Sequence, residues 1–296
     1  MFEPVFLILQ RMDTHINRKD CGVSEHTGRV FNGKIIERPQ IPWIVQIVSP
    51  IQGTKHDAAC GGSIITRNVV LTAAHCLTGS PINEVQIYYN STKTRSGPIN
   101  YGESLYVHPS FNKKTAIKYD IALVKVREYF KFDRFVRPVC LAKHNIYLGH
   151  TPLLSGGWGI IDDRNPPTFA ENLLYTMVRA MSASKCKKIL KRFRGAGVGG
   201  VDDKLMTCLE GYNGTLCGSD SGGPITLRRK GHSMQVGVLS LGSTCNNHTK
   251  LLIVIRVAKF VRWIKVALHH PQRWRVLTGG KDGSGDQKCN CCLIIK

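Results

Sequence analysis

The stretch Cys217-Gly218-Ser219-Asp220-Ser221-Gly222-Gly223-Pro224 sets a serine between an aspartate and two glycines. Two glycines after a serine allow a tight turn and the close approach of a second piece of backbone. A serine hydroxyl is a weak nucleophile at neutral pH and attacks a carbonyl only when a neighbouring base takes its proton. Upstream lie a base, His75 in Thr72-Ala73-Ala74-His75-Cys76, and an acid, Asp120 in Asp120-Ile121-Ala122-Leu123-Val124. In such a set the histidine takes the Ser221 proton and returns it to the leaving amine, while the aspartate fixes the imidazole tautomer. Taken singly, His75 also reads as a structural histidine beside a disulfide, and Asp120 as a turn cap before a strand. Their order along the chain, His then Asp then Ser, joins them. The Gly-x-Ser-x-Gly elbow of another hydrolase class does not fit, because Ser219 stands where its first glycine belongs.

These three segments resemble the chymotrypsin/trypsin family of serine peptidases, from about Arg29 to about Leu268. The resemblance implies an all-β fold of two six-stranded antiparallel β-barrels with a C-terminal α-helix. His75 and Asp120 then come from the first barrel and Ser221 from the second, with peptide bonds cleaved through an acyl-enzyme. No cofactor and no metal are called for. Ser240, in Leu239-Ser240-Leu241-Gly242, matches the serine that hydrogen-bonds the aspartate. The oxyanion hole would use the N–H groups of Ser221 and of the residue two before it, where Ser219 replaces the family glycine. Serine there either keeps the glycine conformation or flips a peptide and removes a donor, which typically lowers rates about 10²–10³-fold.

The resemblance also implies a zymogen. Cleavage between Arg29 and Val30 would free the Val30 amine to fold inward onto Asp220, the residue before the nucleophile; the plainer reading is a surface arginine in a loop. Four disulfides are implied: Cys21–Cys140, which would keep the cut pro-segment attached, Cys60–Cys76, Cys186–Cys208 and Cys217–Cys245. A further family bridge has leucine at both positions, Leu153 and Leu227, which points to an apolar contact in its place. In the specificity pocket Thr215 occupies the floor, so the carboxylate that selects lysine and arginine is absent. Gly242 is retained on one wall, and Leu252 intrudes from the other. This set suits a small or medium apolar residue, or closes the pocket.

The elements that must position these groups read as short apolar strands between polar turns. They are Trp43–Val48, Ser63–Ile65, Val69–Leu71, Val85–Tyr89, Leu105–Val107 and Ile121–Val126, then Pro152–Leu154, Leu173–Met181, Pro224–Arg228, Gln235–Leu239 and Leu251–Val257. In Ala258–Leu268, Phe260, Val261, Ile264 and Leu268 recur at helical spacing. The expected organisation is a leader and pro-segment over 1–29, barrels over about 30–142 and 143–257, a helix over 258–268 and a disordered tail over 269–296.

No apolar run is long enough to cross a bilayer. Met1 to Leu9 is a poor signal peptide, with Glu3 inside its apolar patch, and is read as a truncated one. Eleven cysteines in 296 residues argue for an oxidising, extracellular compartment. Cys289, Cys291 and Cys292 are too few for a zinc site of their own. The triplets at Asn90, Asn213 and Asn247 are glycan acceptors if used, the last two within the pocket loops. The formal net charge of +21 calls for an anionic partner or a well-solvated surface. Lys185, Lys187, Lys188, Lys191, Arg192 and Arg194 crowd one segment, and Lys259, Arg262 and Lys265 were expected beside it. Such a patch suits a heparin-like polyanion rather than nucleic acid.

The sequence thus predicts a secreted, monomeric serine endopeptidase of non-basic preference, switched on by an activating protease and acting on proteins or peptides. The rival is a catalytically weak homologue that uses the same scaffold as a binding module.

Overall fold

The computed structural model describes residues 11–24, 41–112, 118–149, 151–162, 164, 166–193, 202, 204–211, 216–242, 251–274 and 294–295. Arg29, Val30, Asn213, Thr215, Cys245 and Asn247 lie outside them, as do Arg194 and the three cysteines near the C-terminus.

Runs rich in valine, isoleucine and leucine form the first barrel, since branched side chains fit a pleated surface buried on both faces. Its strands are β1 (Ile44–Pro50), β2 (Asp57–Ile64), β3 (Val69–Thr72), β4 (Gln86–Tyr88), β5 (Ile99–Val107) and β6 (Ala122–Val126). They run in the spatial order β1-β4-β5-β6-β3-β2, and β2 pairs back onto β1 from Ile44 opposite Ser63 to Pro50 opposite Asp57. Closure leaves open only the part of β2 that runs beyond its pairing with β3 at Ser63 and Ile64.

After β7 (Cys140–Leu141) come β8 (Leu153–Gly157), the hairpin β9 (Ile160–Asp162) and β10 (Thr168–Phe169), and β11 (Leu174–Ala180). Helix α1 (Ala183–Phe193), β12 (Met206–Gly211), β13 (Pro224–Arg229), β14 (His232–Gly242) and β15 (Leu251–Arg256) follow. The second barrel has the order β13-β8-β11-β12-β15-β14 and closes through β13 and β14, with β7 added parallel to β14. Helix α2 (Val261–His269) then packs back, and β16 (Ile294–Ile295) pairs with Ala58 and Asp57 of β2. The architecture is therefore all-β, two closed six-stranded antiparallel barrels with a C-terminal helix, as the resemblance implied.

Several boundaries differ from the sequence reading. β2 starts at Asp57, six residues early, because Cys60-Gly61-Gly62 carries no strand signature yet is fully paired with β1. β12 had no apolar alternation to betray it. α1 was read as a charged segment, although Cys186 and Ile189 turn inward and the lysines outward. α2 opens three residues late, after a 3₁₀ turn over Val257–Lys259. Order also continues past it: Trp274 is buried, stacks on Tyr106 at 5.6 Å and donates its indole N–H to the Ala267 carbonyl. The two leucines at the absent bridge, Leu153 and Leu227, are both buried in one apolar cluster of the second barrel.

Residues 11–24 form a strap bonded to both barrels. Asp13 accepts from the backbone N–H groups of Arg67, at 3.0 Å, and His15. The Asn17 amide brackets Leu141, donating to its carbonyl at 2.9 Å and accepting from its N–H at 2.6 Å. The Gly22 N–H bonds to Pro138 and its carbonyl takes the Ser233 N–H, both at 2.8 Å. The Cys21–Cys140 disulfide lies among these contacts.

Candidate active site

β3 ends at Thr72, and the chain turns through a single 3₁₀ turn, Ala74–Cys76, that carries His75 into the seam. The Cys60–Cys76 disulfide pins that turn to β2. Asp120 sits at the entry to β6, where Tyr119 takes φ +58°. A bulky residue in the left-handed region is strained, and Tyr119 is held there by stacking on His108 at 4.8 Å. Sequence reasoning missed Tyr119 as the residue that turns Asp120 inward, since nothing in its type asks for that backbone.

The Asp120 carboxylate is fully buried and takes three hydrogen bonds. His75 donates its backbone N–H to Oδ1 at 2.8 Å, and its Nδ1 lies 2.6 Å from Oδ2. The Ser240 hydroxyl donates to Oδ2 at 2.6 Å. An acid so placed keeps the proton on Nδ1 and makes Nε2 the unprotonated, accepting nitrogen. Nε2 lies 3.8 Å from the Cys76 sulfur. Cys60, His75 and Cys76 could be mistaken for a metal site, but both sulfurs are used up in the disulfide.

Ser221 comes from the second barrel and is buried, its carbonyl oxygen 3.6 Å from the sulfur of Cys76, the residue after His75. Its carbonyl accepts the Gly61 N–H at 2.7 Å, which ties the nucleophile loop to β2. The barrels touch here so closely that a methyl on Gly61 would lie 2.8 Å from the Gly223 Cα. The Ser221 hydroxyl makes a long 3.5 Å contact with the Ser240 carbonyl.

Ser219 keeps the glycine conformation, with φ +71°. Among the described residues, neither its N–H nor that of Ser221 has an acceptor. The Ser219 hydroxyl is buried and unpartnered. A left-handed non-glycine residue costs roughly 1–2 kcal/mol, and a buried unpaired hydroxyl about 1 kcal/mol or more. Ser219→Gly is therefore expected to raise stability by about 1–2 kcal/mol while changing turnover less than about tenfold. Denaturant midpoints and kcat measure the two, and a gain of about 10² in kcat would mean that the serine had disabled a donor.

Asp220 points the other way, into a niche walled by glycines. A methyl on Gly157 would lie 2.0 Å from its Oδ1, and one on Gly159 would lie 2.5 Å from its carboxyl carbon. Its carboxylate accepts the Gly159 N–H at 2.8 Å and the Cys217 N–H at 3.0 Å. Burial pushes its pKa up to about 7, against the pull of those two N–H groups.

Leu252 is fully buried with Leu216, Leu239 and Val254 in the apolar cluster of the second barrel. A methyl on Gly242 would lie 2.6 Å from the Leu216 carbonyl oxygen and 3.5 Å from the Cys217 Cα. Gly242 therefore packs directly on the backbone of Leu216 and Cys217.

Cys186–Cys208 is also formed, and Cys217 is disulfide-bonded. Asn90 lies in the turn after β4 with φ +55° and its amide oxygen buried. Among the described residues no helix is long and apolar enough to cross a membrane.

Comparison with known proteins agrees with this architecture. The trypsin family matches residues 30–264. Phenoloxidase-activating factor 1 of Holotrichia diomphalia is 28% identical over 270 residues, covering 83% of this chain and 72% of that protein. Alkaline trypsin A of Manduca sexta is 29% identical over 248 residues, covering 83% and 93%. Trypsin epsilon of Drosophila erecta is 32% identical over 207 residues, covering 70% and 76%. The crystal structure of the scabies mite inactivated protease paralogue S-D1 superposes with a TM-score of 0.68 at 22% identity, covering 81% of this chain and 97% of that one. With the family matched across most of the chain and both barrels closed around the seam, the protein belongs to the trypsin family of serine peptidases.

Proposed function

We propose that the protein is a serine endopeptidase that cleaves peptide bonds through an acyl-enzyme on Ser221, with His75 as general base and acid and Asp120 as its orienter. The observation that supports this best is the saturated Asp120 carboxylate, since its three donors leave His75 a single useful tautomer. Free N–H groups on Ser219 and Ser221 supply the developing oxyanion with donors that need no rearrangement. The test is cleavage at Arg29 followed by a fluorophosphonate probe. Labelling that requires Ser221 is the expected result; a folded, cleaved protein that stays unlabelled would overturn the reading.

Asp220 supports activation by cleavage between Arg29 and Val30. A buried carboxylate held by two N–H groups and no cation among the described residues is an incomplete arrangement. The Val30 ammonium would complete it. In the uncut chain the folded pKa of about 7 exceeds the ordinary value of 3.8, so the folded state binds the proton more tightly. This group's contribution is then greatest at acid pH and is lost as pH rises from 3.8 to about 7. Cleavage should reverse that trend, because an ammonium partner favours the charged form. The check is the stability difference between the wild type and Asp220→Asn across that window, before and after cutting. The same slope in both forms would exclude the pairing.

The contact of Gly242 with Leu216, and the burial of Leu252, favour a second reading, a scaffold that binds without turnover. If the chain turns over, these residues restrict it to a small, non-basic residue on the acyl side of the scissile bond.

A further inference from the structure

Helix α1 contains four lysines and no acidic residue. Lys185 is neutralised by Glu210, which lies 3.0 Å from its Nζ and also accepts from Arg179 at 2.7 Å. That one carboxylate is fully engaged, and its acidity is raised by the Lys185 and Arg179 charges. Lys187, Lys188 and Lys191 remain exposed, and among the described residues none has a carboxylate partner.

Lys191 follows Lys188 by three residues and Lys187 by four, the spacings at which helix side chains are neighbours. Like charges so spaced destabilise a helix by about 0.2–0.5 kcal/mol per pair. A face merely kept wet would alternate signs and avoid this cost. The opposite side of α1 is fixed: Cys186 is buried and bridged to Cys208 of β12, and Ile189 packs on the core. The cations are therefore displayed on a rigid platform.

We infer that the solvent face of α1, Lys187, Lys188 and Lys191, is a docking surface for a sulfated polysaccharide. Charge complementarity supplies the attraction, and the other chemistry of the face selects the class. It carries no aromatic side chain on which a nucleotide base could stack, as single-stranded nucleic acid requires. Cys186 and Ile189 are turned into the protein, so they offer no greasy side to a membrane. Evenly sulfated polymer needs only the fixed cations. The inference stands apart from the peptidase reading.

The test uses the full chain and heparin, with affinity measured over a series of salt concentrations. Lys187→Gln, Lys188→Gln and Lys191→Gln together are expected to lower the slope of log affinity against log salt by about 2–3, near 0.7–0.9 for each lost contact. Arg262→Gln with Lys265→Gln, exposed cations on α2, should leave it nearly unchanged. Equal losses in both variants would show attraction by net charge alone and overturn the site, as would an unaltered slope in the triple variant. Desulfated heparin should not bind. Displacement of heparin by single-stranded DNA or by anionic vesicles at matched charge would overturn the polysaccharide assignment. All three substitutions are on exposed side chains, and unchanged thermal unfolding verifies the fold.

Discussion

Asp120→Asn is expected to lower kcat about 10⁴-fold while leaving the fold in place. The carboxylate presents two acceptor oxygens to three donors. An amide has one acceptor oxygen and one NH₂ group. If its oxygen meets the His75 backbone N–H, the NH₂ faces Nδ1 and the Ser240 hydroxyl. His75 must then accept at Nδ1 and carry its proton on Nε2, where it cannot take one from Ser221. The reverse orientation points NH₂ at the backbone N–H and is worse. Steady-state kinetics of the cleaved protein, or labelling rates with a fluorophosphonate, measure the effect against Ser221→Ala as background. A loss under about 10²-fold would mean that another group sets the tautomer.

Leu252→Gly should have two large effects of opposite sign. Leu252 is fully buried, so truncation removes apolar contact and leaves a cavity. Such changes cost about 2–5 kcal/mol, and glycine within β15 adds up to about 1 kcal/mol more. The same cavity should open space beside Leu216, which shares the apolar cluster of Leu252. Turnover of peptides with a large apolar residue before the scissile bond should then rise at least about tenfold, the scale of a few methylenes in a specificity pocket. Leu252→Ala offers a milder form if the glycine variant is too unstable to handle. Unfolding midpoints and kcat/KM for paired small and large substrates give the answer. Lower stability with no gain for the large substrate would place the block elsewhere.

Much of this was legible in the residues because the chemistry is compact in sequence. His75 and Cys76 adjoin, and Ser219 to Gly223 are consecutive, so a short string announces each part. What stayed hidden depends on distant partners. The left-handed backbone at Tyr119 is set by its stacking on His108, and no local preference encodes it. Ser219 posed two alternatives that its residue type could not separate; its φ of +71° selects the glycine-like one. β2 was half missed because Gly61 and Gly62 look like a turn, whereas Gly61 is bare so that the barrels can meet and Gly62 so that Val45, Ile47 and Val70 can pack over it. Helix α1 was concealed by its own lysines, which drew attention to charge rather than to period.

The strap of residues 11–24 bears on what a cut at Arg29 would produce. Because Asp13, Asn17 and Gly22 each grip the globule through main-chain partners, the disulfide is a second fastening rather than the sole one. A mild reductant in native buffer should leave the two pieces co-migrating on gel filtration, and only detergent should part them. Such a product would be a two-chain molecule whose short chain ties the first barrel, through Arg67, to the second, through Ser233.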